Sequence, residues 1–210
     1  MTMSDQGGTS LREMLGAVKD PDFELKLLPG WERHTPDVVG KEKLDAALKQ
    51  RFMAANRPEL HATLRSQLDE AYDVMKKQNV VAYFAQTGDM GGSKAYYPAS
   101  ILAAVRRSQD GSNLDAYVAQ AIRDHGAKPL FGDVRFMRFE RESTRVLEGG
   151  NIVVTSIVYV TPIPGSQRRR GLQLTASLAR PESMSATDEK FIGWKNGLDL
   201  CVSTLRWLPA

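Results

Sequence analysis

Three consecutive arginines, Arg168, Arg169 and Arg170, follow a Pro164-Gly165 pair in the stretch PIPGSQRRRGLQLTAS. A guanidinium offers a planar fork of donors that matches carboxylate and phosphate oxygens two at a time. On a turn, such a run could contact a phosphate group or an acidic partner. It could equally be a solvated loop. Arg106 and Arg107 form a second basic pair elsewhere in the chain. The stretch GDMGGSK, residues 88–94, has the glycines of a phosphate loop but not the spacing. A phosphate loop needs four residues between its first glycine and a Gly-Lys-Ser/Thr, and it opens a helix whose N-terminus meets the anion. Here the stretch precedes an extended segment, so it is expected to be a hairpin tip.

Other groups capable of chemistry do not converge. His34, His61 and His125 fall on three different elements, and no pair has the spacing of a metal-binding motif. His61 is expected on the polar side of its helix. His125 is expected in a last helical turn, where a cation favours the dipole. Cys201 shares an apolar stripe with Leu198 and Leu205, the setting of a buried small hydrophobe rather than a nucleophile. Asp69, Glu70 and Asp73 lie on a wet helix face, and no GxSxG motif is present. No residue is assigned a catalytic or metal-binding role, and no cofactor is expected. Trp31 and Trp207, with Tyr83, Phe84, Tyr96 and Tyr97, could line an apolar groove for a peptide or lipid. Ordinary core packing is the competing account of these aromatics.

The elements that must position these groups follow from hydrophobic periodicity. From Leu172 to Ala179, Leu, Leu, Ala and Leu alternate with Gln, Thr, Ser and Ala. Period two places one face in a core and the other in water, as in an antiparallel strand. The preceding run from Asn151, rich in β-branched residues, makes the other arm of a hairpin. Phe23, Leu25 and Leu27 predict a strand, Pro29-Gly30 a turn, and Trp31 the start of a second strand. Two helices follow. Leu44, Leu48, Phe52 and Ala55 share a face of the first, and Arg57-Pro58 ends it. Leu60, Leu64, Leu68, Tyr72 and Met75 line the second, with Arg65–Asp69 and Asp73–Lys77 as pairs on its wet side. Residues 80–86 and 94–105 predict two more strands, although 101–107 also fits a helix. Ser112-Asn113 is placed to cap a helix that Gly126 stops, with Leu114, Tyr117, Val118, Ala121 and Ile122 on its apolar stripe. Residues 131–147 predict a strand, and 188–205 a final helix.

The resulting class is α+β: a twisted antiparallel sheet flanked by helices, with an αα-hairpin inserted after the first strands. We expect residues 1–20 to be a flexible N-terminal tail with a short amphipathic helix at Leu11–Val18. Residues 21–210 are expected to form one α+β domain. A chain of 210 residues with 42% hydrophobic and 25% charged content is ordinary for a globular protein. A chain of this length buries roughly 70% of its unfolded surface, enough for its own core. The net charge of +3 is too small to argue for nucleic acid, and basic residues are not interleaved with aromatics on one element. The lone cysteine rules out an internal disulfide. There is no apolar run of about 18 residues and no signal-like N-terminus, so a cytoplasmic location is expected.

The order of elements, the opening FELKLLPGW, the helix near Asn113, the meander ending in PIPGSQRRRGLQLTAS and the helix from Asp188 resemble the PsbP-like fold group. That group includes a photosystem extrinsic protein, a Ran-binding import factor and bacterial lipoprotein-like members. The resemblance covers most of the chain beyond residue 20. It implies a binding or accessory protein with no shared catalytic residues to carry over. Two functional classes remain open from sequence. One is a non-catalytic cytoplasmic binding, adaptor or chaperone-like protein acting on a protein or peptide partner. The other is an enzyme with a dispersed polar site. Arg168, Arg169, Arg170, Trp31, Tyr96 and Tyr97 are the candidate contact residues.

Overall fold

The computed structural model describes residues 20–54, 56, 58–87, 98–108, 113–147 and 150–209. Strands β1 (Phe23–Glu24) and β2 (Trp31–His34) lead into helices α1 (Val38–Ala54) and α2 (Pro58–Lys77). Strands β3 (Val80–Gln86) and β4 (Ala99–Arg107) come next, then helix α3 (Asp115–His125). Four further strands follow: β5 (Lys128–Leu130), β6 (Asp133–Leu147), β7 (Gly150–Pro162) and β8 (Arg170–Pro181). Helix α4 (Glu189–Ser203) and strand β9 (Arg206–Trp207) complete the order. Seven strands form one sheet in the order β2-β3-β4-β8-β7-β6-β5, with every pairing antiparallel. β1 and β9 form a separate two-stranded ribbon. The protein is α+β.

The alternation of β8 decides its faces. Leu172, Leu174, Ala176 and Leu178 are buried, and Gln173, Thr175 and Ser177 stand half-buried on the other side. The leucine face joins the main core with Phe84, Ile101, Ile157 and Tyr159 from neighbouring strands. Helix α4 covers it with Phe191, Leu198, Cys201 and Val202. On the opposite face, α3 packs over Met137, Phe139, Val158 and Val160. Near β3, Tyr72 and Met75 of α2 cover Val80 and Tyr83. No helix among the described residues is long and apolar enough to cross a membrane.

Several local expectations are corrected. The first strand stops at Glu24, because Lys26 N–H donates to Thr204 Oγ1 at 2.8 Å instead of continuing a ladder. Asp69 bonds Lys41 of α1 at 2.6 Å, and Arg65 acts on it as a further nearby charge. His61 turns toward α1 and meets Asp45 at 3.0 Å, with its side chain 15% exposed. Residues 101–107 are strand, not helix. Helix α3 starts at Asp115 with Leu114 at its N-cap position, and the expected capping group is there: Asn113 Oδ1 accepts the Asp115 N–H at 3.1 Å. Leu114 is held by its burial and by donating its N–H to the Arg168 carbonyl at 2.9 Å. Ile122, placed on the apolar stripe by spacing, is exposed. Phe131 sits in a turn, and the long strand begins at Asp133. The Leu11–Val18 helix, the Gly88–Lys94 tip and Ser112 lie outside the described residues.

Candidate functional site

The antiparallel pairing of β4 with β8 sets Arg106 opposite Gly171 and Arg107 opposite Arg170. The two basic groups of the sequence therefore meet at one end of the sheet. Like charges facing across a ladder repel, which is a cost that folding alone does not reward. Part of it is relieved: Arg170 pairs with Asp20, and both side chains are about three-quarters buried. Arg168 lies 3.4 Å from Asp115 at the start of α3 and remains largely exposed. Among the described residues, no carboxylate pairs with Arg107 or Arg169. Both are exposed.

The loop that carries the arginines is tied down by its own backbone. Ile163 N–H donates to the Arg170 carbonyl at 3.0 Å, and Arg169 N–H donates to the Ser166 carbonyl at 3.0 Å. The buried Ser166 hydroxyl hydrogen-bonds the carbonyls of Ile163, at 2.6 Å, and Arg170, at 3.0 Å. Gln167 and Arg168 both take positive φ, 52° and 61°. A loop closed in this way holds its side chains on a defined base. Arg106 is also immobilised. Its Nε donates to Gln173 Oε1 at 2.7 Å, and its guanidinium lies 4.1 Å from the centre of the Tyr117 ring.

Two clefts open beside this cluster. One, of about 420 Å³, is lined by Arg107, Arg169, Arg170, Ser108, Ser166 and Gln167, with Gly165. The other, of about 460 Å³, runs from Arg106 and Arg107 to Asn113 and Tyr117 at the start of α3. Their described lining contains no histidine, cysteine or carboxylate. This chemistry can bind and orient an anion through paired N–H donors.

The aromatic candidates separate. Trp31 is 5% exposed and packs in the main core, so it is not a groove wall. Tyr83 is buried, stacks on His34 and shares a 2.9 Å hydrogen bond with Tyr72. Phe84 is a core residue. Trp207 packs edge-on against Phe23, with ring centres 6.1 Å apart, and lines an apolar pocket of about 370 Å³ with Phe136, Leu205 and Arg168. Tyr96 and Tyr97 lie outside the described residues. Cys201 is buried, and burial pushes its thiol up to about 11. Among the described residues, no three His, Cys, Asp or Glu side chains gather as metal ligands.

A second polar cluster lies beneath α4. Tyr159 and the Arg138 Nε both donate to Asp199 Oδ1, at 2.6 and 2.8 Å. Arg138 also bridges to Glu140 at 2.5 Å, and Lys195 reaches Glu140 at 3.1 Å. Burial disfavours the Arg138 charge, but its bonds to Asp199 and Glu140 outweigh that and raise its pKa. Burial and the neighbouring Asp199 charge lift the Tyr159 phenol far above its ordinary value. Tyr159 is wholly buried, so this cluster fastens helix to sheet. The sequence reading missed it. Its one signal was an aspartate between Leu198 and Cys201 on an apolar stripe.

No family model and no curated protein matches the chain. A crystal structure from Bacteroides thetaiotaomicron is similar at a TM-score of 0.34 and 10% identity, over 61% of this chain and 38% of that one. The chain thus spans well under half of that protein's length.

Proposed function

We propose that this is a non-catalytic binding protein whose arginine-lined sheet end receives a phosphate- or carboxylate-bearing partner. The supporting observation is the Arg107–Arg170 cross-strand pair, flanked by Arg169 and by an open cleft. Repelling charges held together on a rigid base are stabilised by an anion from outside. The resemblance to the PsbP-like group points the same way, toward an adaptor or accessory role.

Retention on a heparin column and titration with inorganic phosphate test this reading. The wild type should elute late, with steep salt dependence, because exposed charges are screened. Changing Arg107 and Arg169 together to Ser should bring elution forward with little change in melting temperature, since exposed charges contribute little to folding. Equal elution of both proteins would overturn the reading.

A further inference from the structure

We infer that the anion met by this end of the protein is an anionic lipid surface, with Phe131 as the residue that enters it. The inference rests on the anion-binding reading above and names its partner class.

The observation is a hairpin tip that is badly chosen for folding. Leu130 faces Asp133 in the β5–β6 ladder, so Phe131 and Gly132 form a two-residue turn. Their φ angles are 49° and 82°. A turn with both central residues at positive φ is built for Asn-Gly, because a side chain there meets its own backbone. A bulky aromatic in the first position is strained, and folding does not repay it: Phe131 is 64% exposed. Strain at an exposed position points outward to a use. Val134, next on the strand, is 87% exposed.

The register places this tip with the arginines. Met137 pairs with Val160, so the start of β6 lies beside the end of β7, where the loop leading to Arg168–Arg170 begins. Val134 and Arg168 line the same clefts. The carboxylates nearby are already engaged: Asp133 holds Arg135 in a fork at 2.6–3.0 Å, and Asp115 faces Arg168. Among the described residues no carboxylate engages Arg107 or Arg169, and both are exposed to an external anion. Exposed apolar side chains at the same end of the sheet as exposed cations match a bilayer's anionic headgroups and the acyl boundary beneath them. An acidic peptide or a nucleic acid would use the arginines but give Phe131 no apolar medium.

Cosedimentation with phosphatidylcholine vesicles, with and without phosphatidylglycerol, tests this on the full chain. The wild type should pellet only with the anionic vesicles. Phe131→Asn should keep or raise the melting temperature, because Asn suits the turn, yet lower partitioning roughly tenfold through lost apolar burial. Arg107→Ser and Arg169→Ser should each lower it about fivefold, the equivalent of ~1 kcal/mol per cation at an anionic surface. Phe131→Trp should show a blue shift on anionic vesicles beyond any shown by the wild type. If Phe131→Asn pellets as well as the wild type, the lipid inference fails while the anion reading stands. Retention on heparin, or capture of a phosphopeptide, without vesicle binding has the same meaning. Binding to none of these overturns both.

Discussion

Tyr159 of β7 and Asp199 of α4 are joined by a 2.6 Å hydrogen bond inside the core, with Arg138 of β6 bonded to the same carboxylate oxygen. A buried carboxylate is tolerable only when its charge and its lone pairs are met. Here one oxygen receives a neutral and a cationic donor, and the helix is thereby fixed to two adjacent strands.

Removing the acceptor should therefore cost more than removing one donor. Asp199→Ala is expected to destabilise by about 2–4 kcal/mol, because it leaves the buried Tyr159 hydroxyl without its acceptor and leaves Arg138 with Glu140 alone. Tyr159→Phe should cost about 1–2 kcal/mol, since Arg138 still satisfies Asp199. Urea denaturation midpoints check the order. Equal losses would mean that the charge pair contributes little.

Glu140 makes stability depend on acid. Burial pushes its carboxyl up, but hydrogen bonds from Arg138 and Lys195 outweigh burial and hold it below the ordinary glutamate range. The unfolded chain then binds this proton more tightly than the folded one. The stabilisation is fully present above the unfolded value of about 4.3 and is lost as pH falls through the lower folded value. Melting curves of wild type and Glu140→Gln should differ by a constant amount near neutrality and converge in acid.

Cys201 should prove structural. Its thiol, raised to about 11 by burial, should resist alkylation at neutral pH until the protein unfolds. Cys201→Ser should lower stability by about 1–3 kcal/mol, because a hydroxyl costs more than a thiol to take from water and the Leu28 backbone meets only part of its hydrogen-bonding capacity. Fast alkylation of the native protein would contradict this.

Asp20 competes with any external anion for Arg170. Asp20→Asn should raise affinity for inorganic phosphate roughly threefold, matching the ~0.6 kcal/mol of a partly exposed pair. Titration calorimetry at low salt measures this. A fall in affinity would place the anion away from Arg170.

Residue pattern alone settled what depends on near neighbours. The alternation of Leu172 to Leu178 specifies a half-buried strand, because successive side chains of an extended chain must point opposite ways. The helical stripe of α4 and the stop at Gly126 are equally local. The turn at Phe131 was not, because the pairing of Leu130 with Asp133 across the β5–β6 ladder decides it.

The candidate site was half legible. Arg168–Arg170 stood out as a run on a turn, but Arg106 and Arg107 belong with them only through the β4–β8 register. A slip of one residue in that register would send every side chain of the strand to the other face. The union of Tyr159, Asp199, Arg138 and Glu140 likewise exists only once α4 lies on the sheet. Charge and type are written in single residues; opposition, burial and pairing come from segments far apart in sequence, and only the packed chain decides them.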